Sequence, residues 1–139
     1  MPRTTVVLAD DNCSVLAHVG HMLERDNIYQ VVAAISDPTA IVRECLQLRP
    51  NIIVLDISMG ELSGIDVARQ LRDSGSTAKI VFLTVHDDAD YMNAAIGAGG
   101  SAYVVKSRLS LDLFSAINAV LAGKVFVSAS LLNEPSTQV

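Results

Sequence analysis

Five side chains suited to phosphate chemistry each stand at the end of a short apolar run. Asp10 and Asp11 follow residues 5–9, Asp56 closes residues 51–56, Thr84 closes residues 79–84, and Lys106 follows residues 102–105. Three carboxylates gathered in one place repel one another, and burying them unpaired is costly. A divalent cation relieves both problems. An all-oxygen donor set selects a hard cation, Mg2+ or a similar ion, that keeps several of its waters. With one carboxylate left as nucleophile, the set suits transfer of a phosphoryl group onto that carboxylate. The Lys106 ammonium would then stabilise the phosphoryl anion, and Thr84 would hydrogen-bond one of its oxygens.

This chemistry requires that residues from position 10 to position 106 converge, and the pattern between them provides the means. Five apolar runs, at 5–9, 30–35, 51–56, 79–84 and 102–105, alternate with helical periodicities. Val15, Leu16, Val19, Met22 and Leu23 recur at helical spacing. Asp37-Pro38 is a natural cap with proline at the first helical position; the helix behind it should carry Ile41, Cys45 and Leu48 inward until Pro50 stops it. Residues 64–73 and 89–98 read as further helices. A last helix, capped by Ser110, should carry Leu113, Ile117, Val120 and Leu121 on one face and end at Gly123. Continuous apolar strands are those buried on both faces. Strict alternation of five strands and five helices predicts a flavodoxin-like (βα)5 fold, a doubly wound parallel α/β sheet of strand order 2-1-3-4-5. Its crossovers should be right-handed. Such sheets bind ligands outside the carboxyl ends of the strands where the order reverses. Here that point lies between the first and third strands, where Asp10, Asp11 and Asp56 fall.

Composition bounds the function classes. The chain has 139 residues, 50% of them hydrophobic and 18% charged, against about 25% charged in typical globular proteins. Its mean hydropathy is +0.39. The net charge of −5 and the lack of a basic stripe argue against DNA binding by this chain alone. Cys13 and Cys45 are too few for a disulfide framework. The sequence shows neither an apolar signal region nor a run long enough to span a membrane, so a cytoplasmic location without membrane association is expected.

The motifs Ala9-Asp10-Asp11-Asn12, Ile53-Val-Leu-Asp56-Ile-Ser-Met59, Phe82-Leu-Thr84 and Ala102-Tyr103-Val-Val-Lys106-Ser107 appear in order, each at a strand end. Together they resemble the receiver domains of two-component response regulators, over about residues 4–124. The resemblance implies that Asp56 accepts a phosphoryl group from a sensor histidine kinase. It implies that Asp11, Asp56 and the Ser58 backbone carbonyl hold Mg2+, with Asp10 contributing through water. It also implies that Thr84 and Tyr103 move together as a switch, and it matches Lys106 to the family's lysine. The chain would assist its own phosphorylation and dephosphorylation without being a metabolic enzyme, and would form a phosphorylation-dependent homodimer.

Two positions depart from the family pattern. Met59-Gly60 replaces Met-Pro, which should loosen the loop. Lys106-Ser107 replaces a cis Lys-Pro, and a cis bond to serine would cost about 3–4 kcal/mol. Lys-Ser resembles the subfamily with a LuxR/NarL-type helix-turn-helix output domain, through which DNA would be bound and transcription controlled. A receiver at 1–124 is therefore expected, with 125–139 as a tail or the start of a linker to an output domain absent from this sequence. A stand-alone receiver acting only by protein contact is the alternative. An FMN-binding electron-transfer protein on the same fold fits less well, because Asp10-Asp11 would repel a phosphate and only six aromatics, none of them Trp, could frame a flavin. His18 and His21 are expected on a solvated helix face and Cys13 in structural packing. The segment 97–102 matches G-x-G-x-x-G/A, but it follows a helix and opens a strand, so it reads as a turn.

Overall fold

The computed structural model describes residues 3–128. Its strands are β1 (Thr4–Ala9), β2 (Tyr29–Ile35), β3 (Ile52–Leu55), β4 (Ser58–Met59), β5 (Leu62–Ser63), β6 (Lys79–Thr84), β7 (Ala102–Val105) and β8 (Phe126–Val127). Its helices are α1 (Cys13–Glu24), α2 (Ile41–Leu48), α3 (Gly64–Asp73), α4 (Ala89–Gly97) and α5 (Leu109–Leu121). Six strands form one parallel sheet in the order β2-β1-β3-β6-β7-β8. Its first five strands carry the expected 2-1-3-4-5 order; β8 adds a sixth at the edge, and β4 and β5 form a separate hairpin.

The period-two alternation of each strand divides its apolar run between two faces. Val7, Ala9, Ile53 and Leu55 pack with Ile41 and Cys45 of α2, Leu71 of α3 and Ala95 of α4. Val6, Leu8, Ile52 and Val54 pack with Leu16 and Leu23 of α1 and Leu113 and Ile117 of α5. Both faces being buried, neither strand surface needs polar residues, and the polar groups collect at the strand ends.

Side-chain caps set several helix starts. Asn12 Oδ1 accepts from the Ser14 and Val15 amides at 2.9 and 3.3 Å, Ser63 Oγ from Ile65 at 3.1 Å, and Asp88 Oδ1 from Tyr91 at 2.9 Å. Asp37 caps as expected, first over a 3-10 turn at Pro38–Ala40. Ser110 does not cap α5. A 3-10 turn at Lys106–Arg108 leads directly into the helix at Leu109 and leaves Ser110 exposed in the first turn.

Three further expectations are corrected. Leu48 is exposed: it is the last residue of α2, where the chain turns away through Arg49 in the left-handed region. Leu121 is exposed because it stands one residue, about 100° around the helix, from Val120, which completes the inward stripe. Cys13 is exposed as the first residue of α1, whereas Cys45 is buried, which pushes its thiol up to about 12. His18 and His21 lie on the exposed face of α1. Segment 97–102 is a turn between α4 and β7, with Gly99 at φ +107°. The Lys106–Ser107 bond is trans, as are all peptide bonds among the described residues. Of the expected tail, residues 126–128 are ordered against the sheet and 129–139 lie outside the described residues.

Candidate functional site

Parallel pairing places the chemistry at one edge. In register, Ala9 pairs with Leu55, Leu55 with Phe82, and Thr84 with Val105. Asp10, Asp56, Thr84 and Lys106 therefore emerge from neighbouring strand ends. A further main-chain bond, Asp56 N–H to the Ala9 carbonyl at 3.0 Å, holds the ends of β1 and β3 together.

Carboxylate oxygens of Asp10, Asp11 and Asp56 all lie within 4.8 Å of one another. Asp10 and Asp56 are buried and Asp11 is exposed, so the cluster opens to solvent on one side. The Lys106 ammonium stands 2.8 Å from Asp10 Oδ2 and 3.5 Å from Asp56 Oδ2. Asp10 Oδ1 accepts from the Asn12 amide at 2.9 Å, and Asp56 Oδ1 from the Ser58 amide at 3.4 Å. Asp10 Oδ2 is buried without a well-directed hydrogen bond; the ion pair with Lys106 is its close polar contact. One lysine thus serves a cluster of three carboxylates, two of them buried. That is the donor chemistry of a hard, oxygen-binding divalent cation, and the residues present fit Mg2+.

Burial pushes the Asp56 carboxyl up to about 6, with the neighbouring Asp10 charge adding to the effect and Lys106 opposing it. Its proton is held more tightly in the folded than in the unfolded chain. The stabilisation this gives is complete below pH 4 and is lost as pH rises through about 6. In metal-free protein, denaturant unfolding from pH 4 to 7 should show wild type losing about 1–2 kcal/mol relative to Asp56→Asn. Parallel pH profiles for the two proteins would contradict this.

Thr84 is fully buried, and its Oγ1 accepts from the His86 amide at 3.1 Å. Tyr103 is fully buried, and its hydroxyl donates to the His86 carbonyl at 2.8 Å. Burial, together with the Asp88 charge, pushes its phenol up. Ser58 lies in β4. The loop after Asp56 folds back as a hairpin at Met59-Gly60. Met59 pairs with Leu62 and is buried, and Gly60 stands at φ +65°, as at the first central position of a type II′ hairpin turn. Proline, locked near φ −65°, could not take that place.

Sequence reasoning missed His86. Its Nε2 lies 2.8 Å from Ser58 Oγ, and its ring stacks on Tyr91 with centroids 4.0 Å apart. No local motif marks such a pair, because Ser58 and His86 meet only through the sheet.

Comparison with known proteins agrees with this geometry. The family model described as the response regulator receiver domain matches residues 6–118. The chain is 34% identical over 131 residues to the nitrate/nitrite response regulator protein homolog of Haemophilus influenzae, covering 94% of this chain and 63% of that protein. It is 30% identical over 135 residues to the oxygen regulatory protein NreC of Staphylococcus aureus, covering 93% and 62%. The chain thus spans just under two thirds of the length of these curated relatives. Among solved structures it is similar to a LuxR-family two-component response regulator from Aurantimonas sp. SI85-9A1, with a TM-score of 0.90, 30% identity and 96% of each chain covered. It is also similar to the isolated REC domain of RcsB from Salmonella enterica serovar Typhimurium in the presence of phosphomimetic BeF3-, with a TM-score of 0.85, 25% identity, and 94% and 96% covered. No helix among the described residues is long and apolar enough to cross a membrane.

Proposed function

The chain belongs to the response regulator receiver domain family, and from that membership we propose that it is a cytoplasmic, Mg2+-dependent signalling switch phosphorylated on Asp56 by a sensor histidine kinase. The observation that carries this reading is the Asp10, Asp11 and Asp56 cluster with Lys106 seated against it. An Asp56 oxygen attacks the phosphorus of a phosphohistidine. The new P–O bond makes an acyl phosphate, the P–N bond breaks, and the leaving imidazole takes its proton from solvent.

Asp11, Asp56 and the Ser58 carbonyl would hold Mg2+, with Asp10 contributing through water. When bound, the ion offsets the carboxylate charge and the negative charge of the phosphoryl oxygens. The Lys106 ammonium, 3.5 Å from Asp56 Oδ2, would pair with a phosphoryl group on Asp56. Thr84 supplies a hydroxyl to that group, and Tyr103 reports its movement to the surface around α4 and β7. The added charge and acceptor oxygens bias a two-state equilibrium. The downstream consequences proposed are a phosphorylation-dependent homodimer and transcription control through an output domain outside this sequence. The relatives named above are longer than this chain, and one is named a nitrate/nitrite response regulator protein homolog, which supports that extension. Family membership leaves no ground for the FMN alternative.

Treatment with a small acyl phosphate, followed by intact-mass measurement, tests this reading. Wild type should gain one phosphoryl group with Mg2+ and far less after chelation. Asp11→Ala should bind Mg2+ about tenfold or more weakly and label slowly, while its metal-free stability holds or rises as repulsion eases. Mg2+-independent labelling, or unchanged Mg2+ affinity in Asp11→Ala, would count against the site.

A further inference from the structure

Away from the acidic site, a buried polar network joins α5, β7 and the residue after β8. Ser128, directly after β8, is fully buried. Its Oγ accepts from the Val105 amide at 3.0 Å and donates to Asp112 Oδ2 at 2.8 Å. Asp112, buried on α5, also receives Arg108 Nε on Oδ2 at 2.9 Å and Arg108 Nη2 on Oδ1 at 3.4 Å. The Ser128 amide donates to the Tyr103 carbonyl at 3.0 Å, and the Phe126 amide to the Ser101 carbonyl at 3.2 Å.

The place of this network in the chain matters more than its strength. Val105 precedes Lys106, and Arg108 lies two residues after it in the same 3-10 turn. Lys106 carries the ammonium that contacts Asp10 and Asp56. The turn bearing that ammonium is therefore clamped at both ends by groups that meet at Ser128 and Asp112. Moving the turn toward or away from Asp56 must strain the Val105–Ser128 bond or the Arg108–Asp112 pair. β8 is otherwise held by its main-chain bonds to β7 and by the packing of Phe126 and Val127 against the two cores. It is two residues long, at the sheet edge, and Phe126 and Val127 are only half-buried. A buried donor or acceptor that loses its partner carries a full desolvation penalty, so the network is closed or open rather than graded.

We propose that Ser128, Asp112 and Arg108 form a latch that fastens β8 to β7, and that the ionic contacts of Lys106 in the acidic site set whether it is closed. Residues 126–128 are thereby coupled to the state of Asp56. Its response to phosphorylation rests on the function proposed above; its response to Lys106 does not. Coupling of this kind is reciprocal, so loosening the latch must also change the affinity of the acidic site for a phosphoryl mimic.

Amide hydrogen exchange on the whole 139-residue chain tests this, read at Val105, Phe126 and Ser128. Ser128→Ala should speed exchange at Phe126 and Ser128 by about tenfold. Arg108→Met severs the network from its far end without touching β8, and should act in the same direction. Lys106→Ala, with no phosphoryl mimic present, should shift exchange at 126–128 severalfold. In wild type, Mg2+ with beryllofluoride should shift it as well. In Ser128→Ala, beryllofluoride should still perturb resonances near Thr84 with a changed affinity, while the response at 126–128 is lost. Unchanged exchange at 126–128 in Lys106→Ala overturns the latch, as does a beryllofluoride response in Ser128→Ala equal to that of wild type. If beryllofluoride does not bind wild type at all, the proposed function fails, and the Lys106→Ala arm alone decides the latch.

Discussion

Asp56→Asn should abolish the gain of one phosphoryl mass when the protein is treated with a small acyl phosphate and Mg2+. The amide that replaces the carboxylate has no anionic oxygen to attack phosphorus and cannot form the mixed anhydride. Neither neighbouring carboxylate can take over. Asp10 is buried, with Oδ2 against the Lys106 ammonium at 2.8 Å and Oδ1 accepting from the Asn12 amide. Asp11 is exposed, and on the proposed reading it is committed to the metal. The loss cannot be attributed to unfolding. Burial has already pushed the Asp56 carboxyl up to about 6, so its ionised form costs stability at neutral pH, and the neutral amide should leave metal-free protein at least as stable as wild type. The measurement is intact mass over time for both proteins, with denaturant unfolding beside it. Equal labelling rates would move the acceptor elsewhere and remove the central assignment.

The sequence made the sheet and its acidic edge legible for a physical reason. Strands buried on both faces must be continuous apolar runs, and a polar residue can first appear where the run leaves the core. The change from Leu55 to Asp56 is therefore both a strand end and a site marker. Residues 79–84, 102–105 and 64–73 were legible to the residue as β6, β7 and α3. Short pairings were not. β4, β5 and β8 are two residues each, too short to carry a period, and their existence depends on partners elsewhere. Gly60 looked like a loosened proline position because composition alone does not reveal a φ of +65°. The Ser128 network escaped because its three members lie on different elements, β7, α5 and the residue after β8, and no spacing pattern links them. The Ser58–His86 pair escaped for the same reason, since 28 residues separate its members.

Gly64 presents the same problem more sharply, because the sequence marks it only as a helix start. It is the first residue of α3, capped by Ser63, and its amide donates to the Ile57 carbonyl at 2.6 Å. Its backbone angles are those any residue can adopt; what it supplies is space. A Cβ built there would run into the Asp56 carbonyl oxygen and would come within 2.9 Å of the Asp56 carbonyl carbon and 3.0 Å of Ile57 Cα. All three atoms are main chain, so no rotamer change relieves the clash, and either α3 or the end of β3 must move. Gly64→Ala should therefore cost about 3 kcal/mol of stability, the upper range for overpacking. It should also slow phosphoryl acceptance, because the displaced backbone carries the Asp56 side chain. Gly97→Ala is the control: it lies in α4 with nothing within 4 Å of a new Cβ, and alanine there should be neutral or stabilise by up to about 1 kcal/mol. Denaturant unfolding and acyl-phosphate labelling of both variants decide the matter. A Gly64→Ala protein as stable and as readily labelled as wild type would show that α3 does not cross the Asp56 backbone this closely, and the positioning of the acceptor would need another cause.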